Sequence, residues 1–133
     1  MTGTQALLLG TLLVASFLFP AQQGFAAEQA GGVIVRIAEL DIDPAQLDAY
    51  KVALKEEIET SIRVEPGVLT LYAVSVKEHP EQIRLFEMYR DAASYQSHLQ
   101  SQHFKIYKTR TQQMVKDLRL METEPILLGS KLK

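Results

Sequence analysis

The chain has 133 residues, enough for one domain with its own core and too few to require two. Hydrophobic residues make up 47% and charged residues 23%, a globular balance that excludes extended disorder. Fourteen Lys and Arg against sixteen Asp and Glu leave a net charge of −2 with no basic run to hold nucleic acid, and the absence of Cys excludes disulfides, thiolate catalysis and Cys-based zinc sites.

Residues 1–30 are set apart from the rest. Ala6 to Phe19 is a run of apolar or small residues without a charge, ending at Pro20. It is shorter than the roughly 20 apolar residues needed to span a bilayer. It suits the apolar segment of a secretory signal, followed by a polar joint from Ala21 to Ala30 in which Gly24-Phe25-Ala26 offers a small-x-small cleavage site. The expectation is a periplasmic or secreted protein with no membrane contact after cleavage. Met1 to Gln5 contains no Lys or Arg, so an uncleaved anchor stands as the alternative.

One domain is predicted over residues 31–133, with its regular elements between 33 and 128. Val33 to Ile42 is rich in β-branched residues and reads as a strand. Asp43-Pro44-Ala45-Gln46 follows, with a capping Asp, a Pro suited to the first helical position and Gln at capping-box spacing. The helix it starts has a predicted apolar stripe of Leu47, Tyr50, Leu54, Ile58 and Ile62. Glu65-Pro66-Gly67 ends it, since Pro disfavours helical geometry in the residue before it and Gly tolerates positive φ.

Val68 to Val76 is a second strand, Lys77 to Glu81 a short linker, and Gln82 to Tyr89 a third strand paired to the second as an antiparallel hairpin. On the third strand Ile83, Leu85, Glu87 and Tyr89 share one face, and Arg84, Phe86 and Met88 the other. Both faces are mainly apolar, which predicts helices over one and a second subunit over the other. Asp91 begins a short helix from Ala92 to Gln100. After Ser101-Gln102 a further helical run is predicted through Phe104, Tyr107, Thr111, Met114 and Leu118, and Glu122 to Leu128, broken by Pro125, is predicted as a final edge strand. The order is βαββαβ, an α+β fold with an antiparallel sheet.

The stretch Phe86-Glu87-Met88-Tyr89-Arg90-Asp91-Ala92-Ala93, continuing through His98-Leu99 to Ser101-Gln102-His103-Phe104-Lys105, resembles the antibiotic biosynthesis monooxygenase family, as does Glu65-Pro66-Gly67 before a strand. Two positions depart from that pattern: Tyr89 stands where the family usually has Trp, and Gln102 where Pro is common. The resemblance implies a ferredoxin-like subunit with helices on one face of the sheet, homodimers forming a dimeric α/β barrel, and a pocket between each sheet and its own helices. It also implies oxidation of quinol-like or phenolic aromatics by O₂ without a cofactor, although other members degrade haem, isomerise small molecules or have no known activity. The haem-degrading branch uses an Asn on the first strand, a Trp on the third and a His one turn after the Phe. This chain contains no Asn or Trp, and Lys108 stands one turn after Phe104.

Oxygenation of a quinol without a cofactor needs an apolar slot and a base for the phenolic proton. Histidine suits the task, with an ordinary pKa of about 6.5 against about 10 for Tyr. His103 and His98 are the candidates, each with the structural alternative of helping to end or start a helix. His79, beside Pro80, is expected to be solvated. Glu87 is a carboxylate on a face otherwise built for burial, so it orients a His, meets a substrate hydroxyl or forms an ion pair. Tyr89, Tyr72, Phe104, Tyr107 and Met114 are core or pocket wall. No two His stand four apart and no Gly-rich loop follows a strand, so neither a metal nor a dinucleotide is expected. The function this supports is a monooxygenase acting on a small aromatic substrate and O₂. The alternative is a non-catalytic, dimeric small-molecule-binding or stress-response module.

Overall fold

The computed structural model describes residues 32–131; the predicted signal segment and its cleavage site lie outside the described residues. Four strands, β1 (Ile34–Ile42), β2 (Val68–Val76), β3 (His79–Tyr89) and β4 (Val115–Thr123), form one antiparallel sheet in the order β2-β3-β1-β4. Helices α1 (Leu47–Val64), α2 (Ala92–Gln100) and α3 (Gln102–Thr111) supply the two crossovers. This is the predicted ferredoxin-like α+β topology, with β2 and β4 at the sheet edges. None of the helices among the described residues is long and apolar enough to cross a membrane.

Strand alternation decides what the helices cover. Ala38, Leu40 and Ile42 of β1 and Ile83 and Leu85 of β3 are buried together with Tyr50 and Leu54 of α1. A second cluster joins Val68, Leu71 and Tyr89, with Ile34, Ile58 and Tyr95 packed against it. Register places Arg36 opposite Glu87 on this same helix-covered side, beside Ala38 and Leu85. Removing this apolar area from water stabilises the fold by roughly 1.5–3 kcal/mol for each fully buried large side chain.

The first turn, Pro44–Gln46, is a 3₁₀ turn, and Asp43 caps it by accepting from Ala45 N at 3.0 Å. The reciprocal half of the capping box is replaced, because Asp43 N donates instead to Met114 O at 2.8 Å and so ties the start of α1 to the approach to β4. The apolar stripe of α1 is also rotated from the predicted one. Tyr50, Ala53, Leu54, Glu57 and Ser61 are buried, whereas Ile62 is 49% exposed. Ile62 lies about 100° around the axis from Ser61, and the sheet faces the Ser61 line.

Three further boundaries differ from the sequence reading. The β2–β3 connection is only Lys77-Glu78, and His79, Pro80 and Glu81 belong to β3. Pairing is irregular between Ser75 and Val76, so Pro80, which lacks an amide donor, sits beside a break in the ladder. Helix α3 stops at Thr111, whose Oγ1 donates back to Tyr107 O at 2.8 Å. The final strand therefore starts at Val115 rather than Glu122, Leu118 lies in that strand, and Pro125 lies beyond its end. Leu118 continues the four-residue spacing of α3 but equally begins the two-residue alternation Leu118, Leu120, Glu122, and the sheet edge takes it.

Gly67 is needed for space. No residue among those described has a positive φ, so the tolerance of Gly for left-handed backbone is not used there. A methyl group on Gly67 would instead overlap Cβ and Oγ of Ser94 in α2. Gly67→Ala is expected to cost about 1–3 kcal/mol. Urea midpoints of the single and double variants check this: Gly67→Ala combined with Ser94→Gly should lose clearly less than the sum of the singles.

Candidate functional site

Three local rules bring the polar residues together. Pro66 keeps Glu65 out of the helix, and Glu65 is extended at the end of α1 with its N–H on Ser61 O. Asp91 caps α2 by accepting from Ser94 N at 2.7 Å, which sets His98 in the last turn. Ser101 caps α3 by accepting from Phe104 N at 3.3 Å, which sets His103 in the first turn. Strand alternation turns Glu87 and Tyr89 to the same side of the sheet.

A chain of contacts results. His98 Nδ1 lies 2.9 Å from Glu65 Oε1, and His103 Nε2 lies 2.5 Å from the same oxygen. An ionised carboxylate only accepts, so both ring nitrogens facing Glu65 carry protons, and in the neutral imidazole His98 Nε2 is the acceptor. That nitrogen lies 3.7 Å from Glu57 Oε1, and Ser61 Oγ donates to the same Glu57 oxygen at 2.6 Å. Separately, Tyr89 OH donates to Glu87 Oε2 at 3.0 Å, and the hydroxyls of Tyr50 and Tyr107 meet at 2.7 Å.

The carboxylates differ in charge preference. Burial raises the pKa of Glu57 and of Glu87; the Ser61 hydrogen bond opposes the shift in the first, and the Tyr89 hydrogen bond in the second. Burial acts the same way on Glu65, but the hydrogen bonds from His98 and His103 outweigh it and hold Glu65 below the usual carboxylate range. Burial also raises Tyr50 and Tyr89 far above the ordinary phenol value and pushes Tyr107 up to about 12, so these hydroxyls stay neutral.

Because Glu87 is raised above its unfolded value, protonation favours the folded state. The associated stability is fully present below the unfolded pKa and is lost as pH rises through the folded one. Glu87→Gln is therefore expected to gain on the parent as pH rises from about 4 to about 8. Urea midpoints across that range check this, and a constant difference would contradict it.

His98, Glu57, Glu87, Tyr89, Tyr95, Phe104 and Tyr107 line one cavity of about 80 Å³ between the sheet and the helices, with Arg36, Lys108, Leu71, Leu118 and Leu120 also in its walls. The rings are packed against one another: His98 is 4.7 Å from Phe104 and 5.3 Å from Tyr89 between centroids. The Arg36 guanidinium lies 4.6 Å over Tyr95, and Arg36 Nε is buried without a hydrogen-bond partner.

Of the seven predicted site residues, His98, Glu87, Tyr89, Phe104 and Tyr107 are brought together here. His103 is held behind Glu65 and faces the outer groove between α1 and α3, beside Thr60 and Arg110, so it backs His98 rather than lining the cavity. Tyr72 is a correction. It is 51% exposed, pairs with Phe86 on the opposite face of the sheet, and borders an open groove of about 600 Å³ between α1 and β2. Its even position on β2 sends it away from the side taken by Leu71. Met114 packs on the core and does not line the cavity. His79 is exposed in the hairpin, as expected.

Glu57, Ser61, Glu65 and Arg36 were not singled out by the sequence reading. Glu57 and Ser61 could have been found from their spacing after Tyr50 and Leu54 on the buried line of α1.

The pattern described as antibiotic biosynthesis monooxygenase matches residues 33–110, from β1 to the end of α3. The chain belongs to the antibiotic biosynthesis monooxygenase family. A solved structure from Bacteroides thetaiotaomicron, named as a candidate antibiotic biosynthesis monooxygenase, is 47% identical with a TM-score of 0.74 over 77% of this chain and 97% of that one. Two more distant structures share the fold. One from Nitrosomonas europaea is 20% identical (TM-score 0.68, covering 72% and 92%), and Rv0793 from Mycobacterium tuberculosis is 20% identical (TM-score 0.67, covering 74% and 100%). No curated protein matches the chain. Within this monooxygenase family the aromatic position on β3 is Tyr89, buried against Tyr95 and His98, so the change from Trp keeps an aromatic wall.

Proposed function

We propose that this chain is a cofactor-independent monooxygenase that oxidises a single-ring phenol or quinol with O₂, using His98 Nε2 as the base. The observation that carries this is the His98 ring, held at Nδ1 by Glu65 and lining an aromatic-walled cavity, which leaves Nε2 as the nitrogen to take a proton. Loss of the phenolic proton to His98 leaves a phenolate that gives an electron to O₂. Recombination of the radical pair forms a carbon–oxygen bond at the ring, and cleavage of the O–O bond leaves one oxygen in a quinone product and releases the other as water. The balance closes: phenol plus O₂ gives quinone plus water, and no outside reductant is consumed. Glu65, held in place by His103, stabilises the imidazolium that forms.

Two features support the substrate class. The cavity of about 80 Å³ is smaller than the roughly 150 Å³ at which an apolar cavity accepts benzene, so even one ring enters only as the walls move apart, and a fused polycycle would need far more room. The unpartnered Arg36 Nε belongs to its wall and is a donor suited to a ring oxygen. Oxygen uptake by the purified protein with a panel of monocyclic phenols and quinols tests the proposal. Stoichiometric quinone formation is expected. Saturable binding of the same compounds with no oxygen uptake would replace it with the non-catalytic binding reading.

We further propose that residues 1–30 direct export and that the protein acts as a homodimer joined through the uncovered sheet face. Ile37, Phe86 and Met88 lie on that face among the exposed Tyr72 and Val74. Sedimentation is expected to show a dimer at micromolar concentration, with Phe86→Asp shifting it to monomer; a monomeric parent would overturn this.

A further inference from the structure

Glu57, His98 and His103 each contribute one ligand atom to a group in which all three lie within 4.8 Å of one another. They come from α1, α2 and α3, so no spacing of two His along one helix encodes them. We propose that these three residues form a binding site for a divalent transition-metal ion of the zinc class, and that the ion inhibits the enzyme by occupying the base.

The chemistry of the set selects the metal. Two imidazoles and one carboxylate suit Zn²⁺ and its first-row neighbours, whereas Ca²⁺ and Mg²⁺ prefer all-oxygen shells. Geometry agrees for the tightest pair. His98 Nε2 and Glu57 Oε1 lie 3.7 Å apart, too far for a hydrogen bond between them. Two zinc bonds of roughly 2.0–2.1 Å reach slightly further than that gap, so one ion can touch both atoms. These side chains are 4% and 5% exposed. His103 is more open to solvent and lies beside the outer groove, which gives the ion a way in; it coordinates through Nδ1, or through Nε2 once the ion displaces the proton that nitrogen shares with Glu65.

The surroundings are those of a metal ligand set. Glu65 fixes the His98 ring through Nδ1, the carboxylate–histidine arrangement that leaves the other nitrogen free to coordinate. Ser61 holds the Glu57 carboxylate at 2.6 Å. Two partly opposed needs meet at His98 Nε2, since the lone pair that takes the phenolic proton is the one the ion takes. The inhibitory part of the proposal therefore rests on the monooxygenase reading, and the binding part does not.

Titration of the purified, chelator-treated protein with CoCl₂ and then ZnCl₂ tests both parts. Expected are equimolar Co²⁺ binding with the intense visible absorption of a low-coordinate ion, its displacement by Zn²⁺, and an affinity weakened at least about tenfold by His103→Ala and by Glu57→Gln. His79→Ala should change nothing, because His79 lies in the distant hairpin. A Co²⁺ spectrum like that of the hydrated ion, or an affinity indifferent to His103→Ala, would overturn the site; His103 is partly exposed, so this variant serves even if Glu57→Gln fails to fold. Zn²⁺ should suppress oxygen uptake with the same dissociation constant that binding shows. Zn²⁺ binding with undiminished turnover would overturn the inhibitory part. Absence of turnover in the metal-free protein would instead overturn the monooxygenase reading and leave the binding result standing.

Discussion

Replacing His98 with Ala is expected to lower turnover of a phenolic substrate by about 10²- to 10⁴-fold, the range a positioned general base contributes. Phenylalanine is the better structural control, because His98 packs on Phe104 and Tyr89 and an aromatic ring preserves those contacts. His98→Phe should match His98→Ala in activity while staying closer to the parent in thermal midpoint. Glu65→Gln should fall between the parent and these variants. The amide still meets both rings but no longer carries the charge that stabilises the imidazolium, and it offers a donor as well as an acceptor, so the tautomer of His98 is no longer fixed. Initial rates of oxygen uptake at saturating substrate decide the matter. Unchanged rates in His98→Ala would remove the base from the mechanism.

The largest stability effect is expected at Tyr89. Its side chain is fully buried, packs edge-on against Tyr95 at 5.1 Å and donates to Glu87. Truncation to Ala removes an aromatic ring from a packed cluster and should cost about 3–5 kcal/mol. For a domain of this size that is a fall in thermal midpoint of more than about 10 °C. Tyr89→Phe keeps the ring and loses the hydroxyl, for about 1 kcal/mol. A calorimetric series of the three proteins separates the ring from the hydrogen bond. A loss below about 1 kcal/mol for Tyr89→Ala would mean that the cluster collapses around the cavity.

Local rules made most of the fold legible. Asp43-Pro44, Glu65-Pro66-Gly67, Asp91 and Ser101 each mark a helix boundary by a mechanism that acts over a few residues, and each stands at such a boundary. The region after Thr111 was misread because one leucine, Leu118, satisfies both the helical and the strand period, and only the edge of the sheet decides between them. The candidate site was legible in part for a related reason. Alternation along β3 is enough to pair Glu87 with Tyr89. The meeting of Glu57, Glu65, His98 and His103 depends on how three helices pack, and no spacing in the chain encodes that distance. Tyr72 shows the converse: an aromatic residue of the right type on a neighbouring strand is excluded from the site by one step of strand parity.

The cavity has unequal walls. On one side stand α1 and the central strands β1 and β3, each held by neighbours on both flanks. On the other, Leu118 and Leu120 belong to β4, an edge strand tied to the sheet by a single ladder with β1. Strands of that kind are the first part of a sheet to open. Deformation of the cavity is thus directional, cheap towards β4 and costly towards α1, β1 and β3. Ring substituents should accordingly be tolerated by where they point: those aimed at the free edge strain little, and those aimed at His98 and Tyr89 strain the core itself.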